Sequence, residues 1–155
     1  TPNTFRIMSE LLETGFPLPE INRMLFRSTP LRKLKLQARA LNKLELHCGG
    51  KVAISALSLS DFSDCGATAE DHEGVVDLLR DIDTVEAAAS LRACEDGTVR
   101  VSLRGKRYAD VSRVAVALHG GGHKLAAGCT ICGSLEAAKS AVLAELRKLF
   151  PEEHV

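Results

Sequence analysis

At 155 residues the chain is long enough for one domain with a true core, and its hydrophobic share of 45% beside a charged share of 26% is that of a globular protein. Lys and Arg total 20 and Asp and Glu total 20, so the formal charge is zero. This excludes the broad basic surplus with which proteins hold long nucleic acids; a phosphate ligand should be short and held at one focused site.

Phe5, Ile7, Met8, Leu11 and Leu12 recur with helical spacing, which predicts a helix from Phe5 to Glu13 ending near Gly15. Pro17 and Pro19 open a second short helix carrying Ile21, Met24 and Leu25. Ser28-Thr29-Pro30 reads as a cap and first-turn proline, followed by a longer helix with Leu31, Leu34, Leu41 and Leu44 that Cys48-Gly49-Gly50 closes. After Lys51 the period changes, and Val52 to Leu57 reads as a buried strand. Ser60 to Asp64 reads as a short helical turn, and Asp71 as the cap of a helix through Val75, Val76, Leu78 and Leu79.

Val85 to Ala93 and Val99 to Leu103 flank Glu95-Asp96-Gly97, a hairpin signal. Asp110 caps a helix with Val111, Val114, Ala115 and Leu118, which Gly120-Gly121-Gly122 stops. Ala126 to Cys132 reads as a last strand, and Ser134 caps a closing helix through Leu146. The expected fold is α/β, a mixed β-sheet with flanking helices, preceded by linker helices. The sheet begins near Lys51, and short helices ending in Gly and Pro make the first two elements read as the tail of something else.

Phe 5, Tyr 1 and Trp 0 exclude a long base-stacking platform. A charged residue interrupts every candidate membrane span, so no membrane partner is expected. Thr1-Pro2-Asn3-Thr4 has neither the basic nor the apolar region of a signal peptide, and a processed or excised fragment stays open. The cysteines, Cys48, Cys65, Cys94, Cys129 and Cys132, are odd in number and irregular in spacing, which fits a reducing cytoplasm.

The segment richest in chemistry is His119-Gly120-Gly121-Gly122-His123-Lys124. A helix C-cap needs one glycine, whereas three in succession carry a substantial entropic cost. Such a run can present successive N–H groups to an anion, with His123 and Lys124 as further donors. An anion nest and a plain turn both remain open on these residues alone. Arg104 stands at a strand end before Gly105, and alternation puts it on one face with Arg100 and Ser102, opposite Val99, Val101 and Leu103. Taken alone, a strand-end arginine is more often a solvated charge than a ligand, but one beside a glycine turn is well placed to bind a phosphate through two hydrogen bonds.

Val101-Ser102-Leu103-Arg104, Asp110 to Ala115, Gly120-Gly121-Gly122-His123 and Ala126-Ala127-Gly128 together resemble, in order and spacing, the DHH-associated C-terminal domain. That domain belongs to DHH-family phosphoesterases, here the oligoribonuclease/pAp-phosphatase type related to RecJ, and the similarity runs from about Phe5 to Phe150. The resemblance implies a two-domain enzyme. Its N-terminal catalytic domain holds two divalent metal ions, usually manganese, through residues that include an Asp-His-His run. Its C-terminal domain binds the phosphate and nucleotide end of short RNA or pAp.

Carried over by position, Arg104, Gly120, Gly121, Gly122 and His123 bind substrate phosphate, with Ser102, His119 and Lys124 as further candidates. The family usually has another glycine where this chain has His119. Asp71-His72-Glu73 fails the metal pattern at its third position, so no catalytic residue and no metal ligand is expected in this chain. Residues 1–28 then read as the tail of the missing catalytic domain with linker helices, and 29–155 as the substrate-binding domain. The resemblance leaves open an exopolyphosphatase-like enzyme, a cyclic or linear dinucleotide phosphodiesterase, and a homodimer. Three other classes are weaker. Zinc at Cys129, Cys132, His119 and His123 fails because residues three apart on a strand face opposite ways. A nucleophilic Cys48 or Cys65 has no local signature. A purely structural or interaction domain is the remaining one.

Overall fold

The computed structural model describes residues 1–151 and divides into two compact units, Thr1–Leu31 and Arg32–Val155. The first contains α1 (Pro2–Glu13) and α2 (Leu18–Phe26). Thr1 caps α1 by accepting from the Thr4 N–H, and neither helix contributes a buried residue. Phe5, Leu25 and Phe26 remain largely exposed.

α3 (Leu31–Asn42) belongs to the second unit from Arg32 onward and buries Leu36 and Ala40. Helical spacing of Leu41 and Leu44 predicted that this helix would continue to Cys48; it stops at Asn42, and β1 (Glu45–His47) follows. Cys48, Gly49 and Gly50 all have positive φ, turning the chain so that β1 pairs antiparallel with β2 (Val52–Leu57), His47 opposite Val52. α4 (Leu59–Cys65) begins at Ser58, whose hydroxyl accepts from the Asp61 N–H. Asp71 does not cap the next helix. It lies in a 3₁₀ turn, Ala69–His72, where its carboxylate accepts from the Thr68 N–H at 2.8 Å and from Arg32 at 2.8 Å. The next helix, α5 (Val75–Arg80), starts after Gly74, whose φ of 88° makes the break between the two.

β3 (Ala87–Ala93) and β4 (Thr98–Gly105) form the expected hairpin. Asp110 caps α6 (Val111–Ala117), and β6 (Ala126–Cys132) leads through the Ser134 cap into α7 (Leu135–Arg147). The glycine run is not a simple stop: Gly121–His123 form β5, an edge strand paired antiparallel with β6. The sheet has six strands in the order β1-β2-β3-β4-β6-β5; β2–β3 is its parallel pair and the other neighbours are antiparallel. It is mixed, as the joining of strands by both a hairpin and helices requires.

The two faces of this sheet are treated differently, and that asymmetry positions the site. On one face, Val99, Val101, Leu103, Ala127 and Cys129 join Ile54, Leu91, Val114 and Val142 in the main core, beneath α6 and α7. On the other, α3, α4 and α5 pack mainly on β2 and β3, through Leu36, Leu57 and Phe62 and through Ala53, Leu79 and Ala88, and α5 also reaches the Arg104 end of β4. Beyond α5, the β4–β6–β5 part of that second face is open: Arg100, Ala126 and Thr130 are exposed, and Ser102 and Arg104 half-buried.

Candidate functional site

Three cross-strand rows run across this second face of the sheet. In the first, Arg104 of β4 pairs with Ala126 of β6, which pairs with His123 of β5. In the second, Ser102 pairs with Gly128, which pairs with Gly121. In the third, Arg92 of β3 pairs with Arg100, which pairs with Thr130. Pairing preserves the face of the sheet. Arg104, Ser102, His123 and Gly121, taken from two segments of the sequence, therefore line one surface, whose floor is the small residues Ala126 and Gly128. The alternation expected along β4 holds, with Val99, Val101 and Leu103 buried on the opposite side.

Arg104 is held, not free. Its Nε donates to Asp77 Oδ1 at 3.3 Å and its Nη1 to the Leu103 carbonyl at 3.1 Å; Asp77 also accepts from Arg80 Nη1 at 2.7 Å. One edge of the guanidinium is thus fixed by α5, while Nη2 has no hydrogen-bond partner among the described residues. Asp77 carried no signal in the sequence, where it is one acid beside the core residues Val76 and Leu79 of an amphipathic helix.

The three glycines have different reasons to be glycine. A Cβ on Gly120 would lie 2.2 Å from the Gly128 carbonyl oxygen and 2.5 Å from Cys129 Cβ. One on Gly122 would lie 2.5 Å from Ala127 Cα, and φ there is +140°. Both are demanded by the fold. Gly121 has an ordinary strand backbone, and a Cβ on it would meet nothing within 4 Å. Gly121 alone of the run lies on the uncovered face with no internal requirement for a missing side chain.

His119 stands at the end of α6 with φ +59°. Its N–H donates to the Val116 carbonyl at 3.1 Å, and the Gly120 N–H donates to the Ala115 carbonyl at 2.7 Å. These are the two hydrogen bonds of a Schellman helix end, in which the left-handed residue is ordinarily glycine. The left-handed position of the cap is therefore His119, not Gly120 as a plain turn would have it. His119 does not lie in the rows. Lys124 is exposed in the turn after β5; its carbonyl accepts from the Val111 N–H, and its charge, with the hydroxyl of Ser112 as the larger cause, helps hold the Asp110 carboxyl below the usual range. The neighbouring Leu125 carbonyl accepts from the Gly105 N–H, so this turn is tied to the end of β4 beside Arg104.

The cysteines divide by face as strand geometry requires. Cys129 is buried in the core, where burial pushes its thiol up, and Cys132 is exposed. Asp71-His72-Glu73 also forms no ligand set: His72 is buried, its ring bonded to Ser90 Oγ at 2.7 Å, and burial with the nearby Arg92 charge lowers its pKa to about 4. Among the described residues no three His, Cys, Asp or Glu side chains are grouped so as to hold a metal ion, and no helix is long and apolar enough to cross a membrane.

The fold is that of a known family. Residues 49–151 match the model of the DHHA1 domain, and the chain belongs to the DHHA1 family. It is 34% identical over 150 residues, 96% of its length, to the bifunctional oligoribonuclease and PAP phosphatase NrnA of Thermus thermophilus, and spans 44% of that protein's length. Among solved structures it is similar to an exopolyphosphatase-related protein from Bacteroides fragilis, at a TM-score of 0.89 and 25% identity over 97% of this chain and 44% of the other. It shares its fold with the pGpG-specific phosphodiesterase PggH of Vibrio cholerae, at a TM-score of 0.60 and 12% identity over 94% of this chain and 50% of the other.

Proposed function

We propose that this chain grips the phosphate end of a short oligoribonucleotide or of pAp on behalf of a DHH phosphoesterase, and that it is inactive alone. The observation that carries this reading is the row geometry: a tethered guanidinium, a histidine and an unconstrained glycine face outward over a floor of small side chains. Arg104 Nη2 and His123 supply donors, Ser102 a hydroxyl, and Gly121 a place where a ligand can approach the backbone. Gly120 and Gly122 shape the strand that carries them. Such a surface contributes position and charge to a reaction whose bond-breaking groups lie elsewhere. The catalytic partner is an N-terminal DHH domain of the same protein, where two divalent ions, manganese on the family pattern, would supply the Lewis-acid chemistry of hydrolysis. The exposed apolar residues of α1 and α2 suit the covering such a domain would give residues 1–28. The odd number of cysteines supports a cytoplasmic setting.

Calorimetric titration with pAp tests the reading. The parent chain should give saturable heat, and Arg104→Ala should bind at least tenfold more weakly while melting like the parent, since a charge-assisted hydrogen bond is worth about 1.5–3 kcal/mol. His123→Asn, which keeps a donor, should lose less than His123→Ala. No saturable heat, or an Arg104→Ala variant that binds like the parent, overturns the assignment. Metal-dependent turnover of bis-p-nitrophenyl phosphate that co-purifies with the chain overturns its inactivity.

A further inference from the structure

The third row, Arg92 opposite Arg100, has no part in the phosphate grip just described. Directly opposed side chains in an antiparallel pair have Cβ atoms about 5 Å apart, and like charges in that position weaken a sheet. Among the described residues neither arginine has a carboxylate within ion-pair distance. Arg92 Nη1 donates only to Cys94 Sγ at 3.4 Å. Two arginines are therefore kept opposite one another on the same face of the sheet with no carboxylate ion-paired to either.

They are also at the wall of a groove. A cleft of about 880 Å³ lies between α4 and the β3–β4 hairpin, lined by Leu59, Phe62 and Ala67 on its apolar side and by Thr68, Arg92 and Arg100 on its polar side. That volume is in the usual range for a small-molecule site. Besides Cys94, three titratable groups stand near the arginines. His72 is neutral at ordinary pH. Glu95 and Asp96 border the groove at the hairpin tip, and the Asp96 carboxylate accepts from the Thr98 N–H at 3.0 Å and its hydroxyl at 2.6 Å, besides feeling the Arg100 charge.

Arg100, Ser102 and Arg104 alternate along β4 on one face, so at about 3.3 Å per residue the two arginine backbones are about 13 Å apart. A di- or trinucleotide with its terminal phosphate at Arg104 can reach Arg100. We propose that Arg92 and Arg100 form a second phosphate subsite, which takes an internal phosphate of a short oligonucleotide while the groove beside it holds a neighbouring nucleoside. The inference rests on the phosphate grip at Arg104 and names the part of the substrate that the grip leaves out: a second, charge-read nucleotide.

The test compares AMP with pApApA by calorimetry on the parent chain, Arg104→Ala, Arg92→Gln and Arg100→Gln, each checked by thermal melt. Neither glutamine variant should lose stability, because each removes a like-charge repulsion. The parent should bind pApApA at least tenfold more tightly than AMP. Arg92→Gln and Arg100→Gln should leave AMP affinity unchanged and abolish that advantage. The logarithmic salt dependence of pApApA binding should also become shallower, by about 0.7 for each phosphate that is no longer neutralised. If AMP binds in an Arg104-dependent manner but the trinucleotide advantage is absent or survives both variants, the second subsite is refuted and the first stands. If pApApA binds through Arg92 and Arg100 while AMP does not bind and Arg104→Ala has no effect, the grip at Arg104 is refuted and the arginine pair stands. If neither ligand binds the parent, both are refuted.

Discussion

Replacing each glycine of the run by alanine, one at a time, separates what the fold requires from what a ligand requires. At Gly120 the new methyl would meet the Gly128 carbonyl oxygen at 2.2 Å and Cys129 at 2.5 Å, contacts with backbone and core that cannot yield without moving β6. Overpacking of this kind costs roughly 1–3 kcal/mol. At Gly122 a contact of 2.5 Å with Ala127 Cα coincides with φ +140°, a strain worth about 1–3 kcal/mol in its own right. For a chain of this size a loss of about 1–3 kcal/mol lowers the melting temperature by roughly 2–12 °C. Gly121→Ala meets nothing, and restricting the unfolded chain should leave stability unchanged or raise it by up to about 1 kcal/mol. Binding should rank the variants otherwise. If a phosphate rests against the backbone at Gly121, the methyl stands where the ligand must be, and affinity for pAp should fall at least tenfold, about 1.4 kcal/mol. The assay is a thermal melt beside a pAp titration for the three variants. A Gly121→Ala protein that melts like the parent and binds like it would refute the approach of a ligand to β5 and leave the glycine run an architectural device.

Three further outcomes follow from local chemistry. His119→Gly should raise the melting temperature by roughly 2–4 °C, since a non-glycine residue at φ +59° carries a penalty of about 1 kcal/mol, and should leave pAp affinity within twofold; a lower melting temperature would show that the imidazole makes a contact worth more than the strain. His72 is held neutral, with a folded pKa of about 4 against an ordinary 6.5, so the unfolded chain binds the extra proton between those values. Its contribution, of order 3 kcal/mol, is present above pH 6.5 and lost as pH falls towards 4, and urea unfolding between pH 7 and 4.5 should show the decline, a flat profile contradicting it. Third, the neutral charge balance and scarce aromatics predict that affinity stops rising beyond a few nucleotides; a gel-shift series climbing steadily with strand length would contradict this.

Much of the architecture was legible because it is written in local patterns. Alternation from Val99 to Leu103, the Asp110 and Ser134 caps and the Glu95-Asp96-Gly97 turn each fixed an element to within a few residues. β1 was hidden because Leu41 and Leu44 keep a helical period past the true end of α3, and because pairing with Val52–Ile54 is a tertiary fact that three residues cannot announce. Asp71 misled in the same way: an acid before an apolar run has the form of a helix cap, but Gly74 breaks the chain between them. For the site, Arg104 and the glycine run were visible as residue types. Their common face depends on β6 lying between β4 and β5, and strand order is not a sequence pattern. The tether from Asp77 and the opposition of Arg92 to Arg100 depend on register, which the sequence shows only once the pairing is known.

β5 is three residues long, all exposed, and lies at the edge of the sheet with hydrogen bonds to β6 alone among the strands. Short edge segments open at a small fraction of the free energy needed to unfold a domain. The proposed grip thus stands with one side on the central strand β4 and the other on a short strand at the edge of the sheet. Affinity measured for any ligand that spans them is the intrinsic affinity multiplied by the fraction of time β5 is docked. By the same linkage the ligand must hold the strand down, and amide exchange at Gly121, Gly122 and His123 should slow as pAp saturates the chain. A substitution that fastens β5 to β6 without touching the ligand would therefore tighten binding, and one that loosens it would weaken binding with every side chain of the site intact.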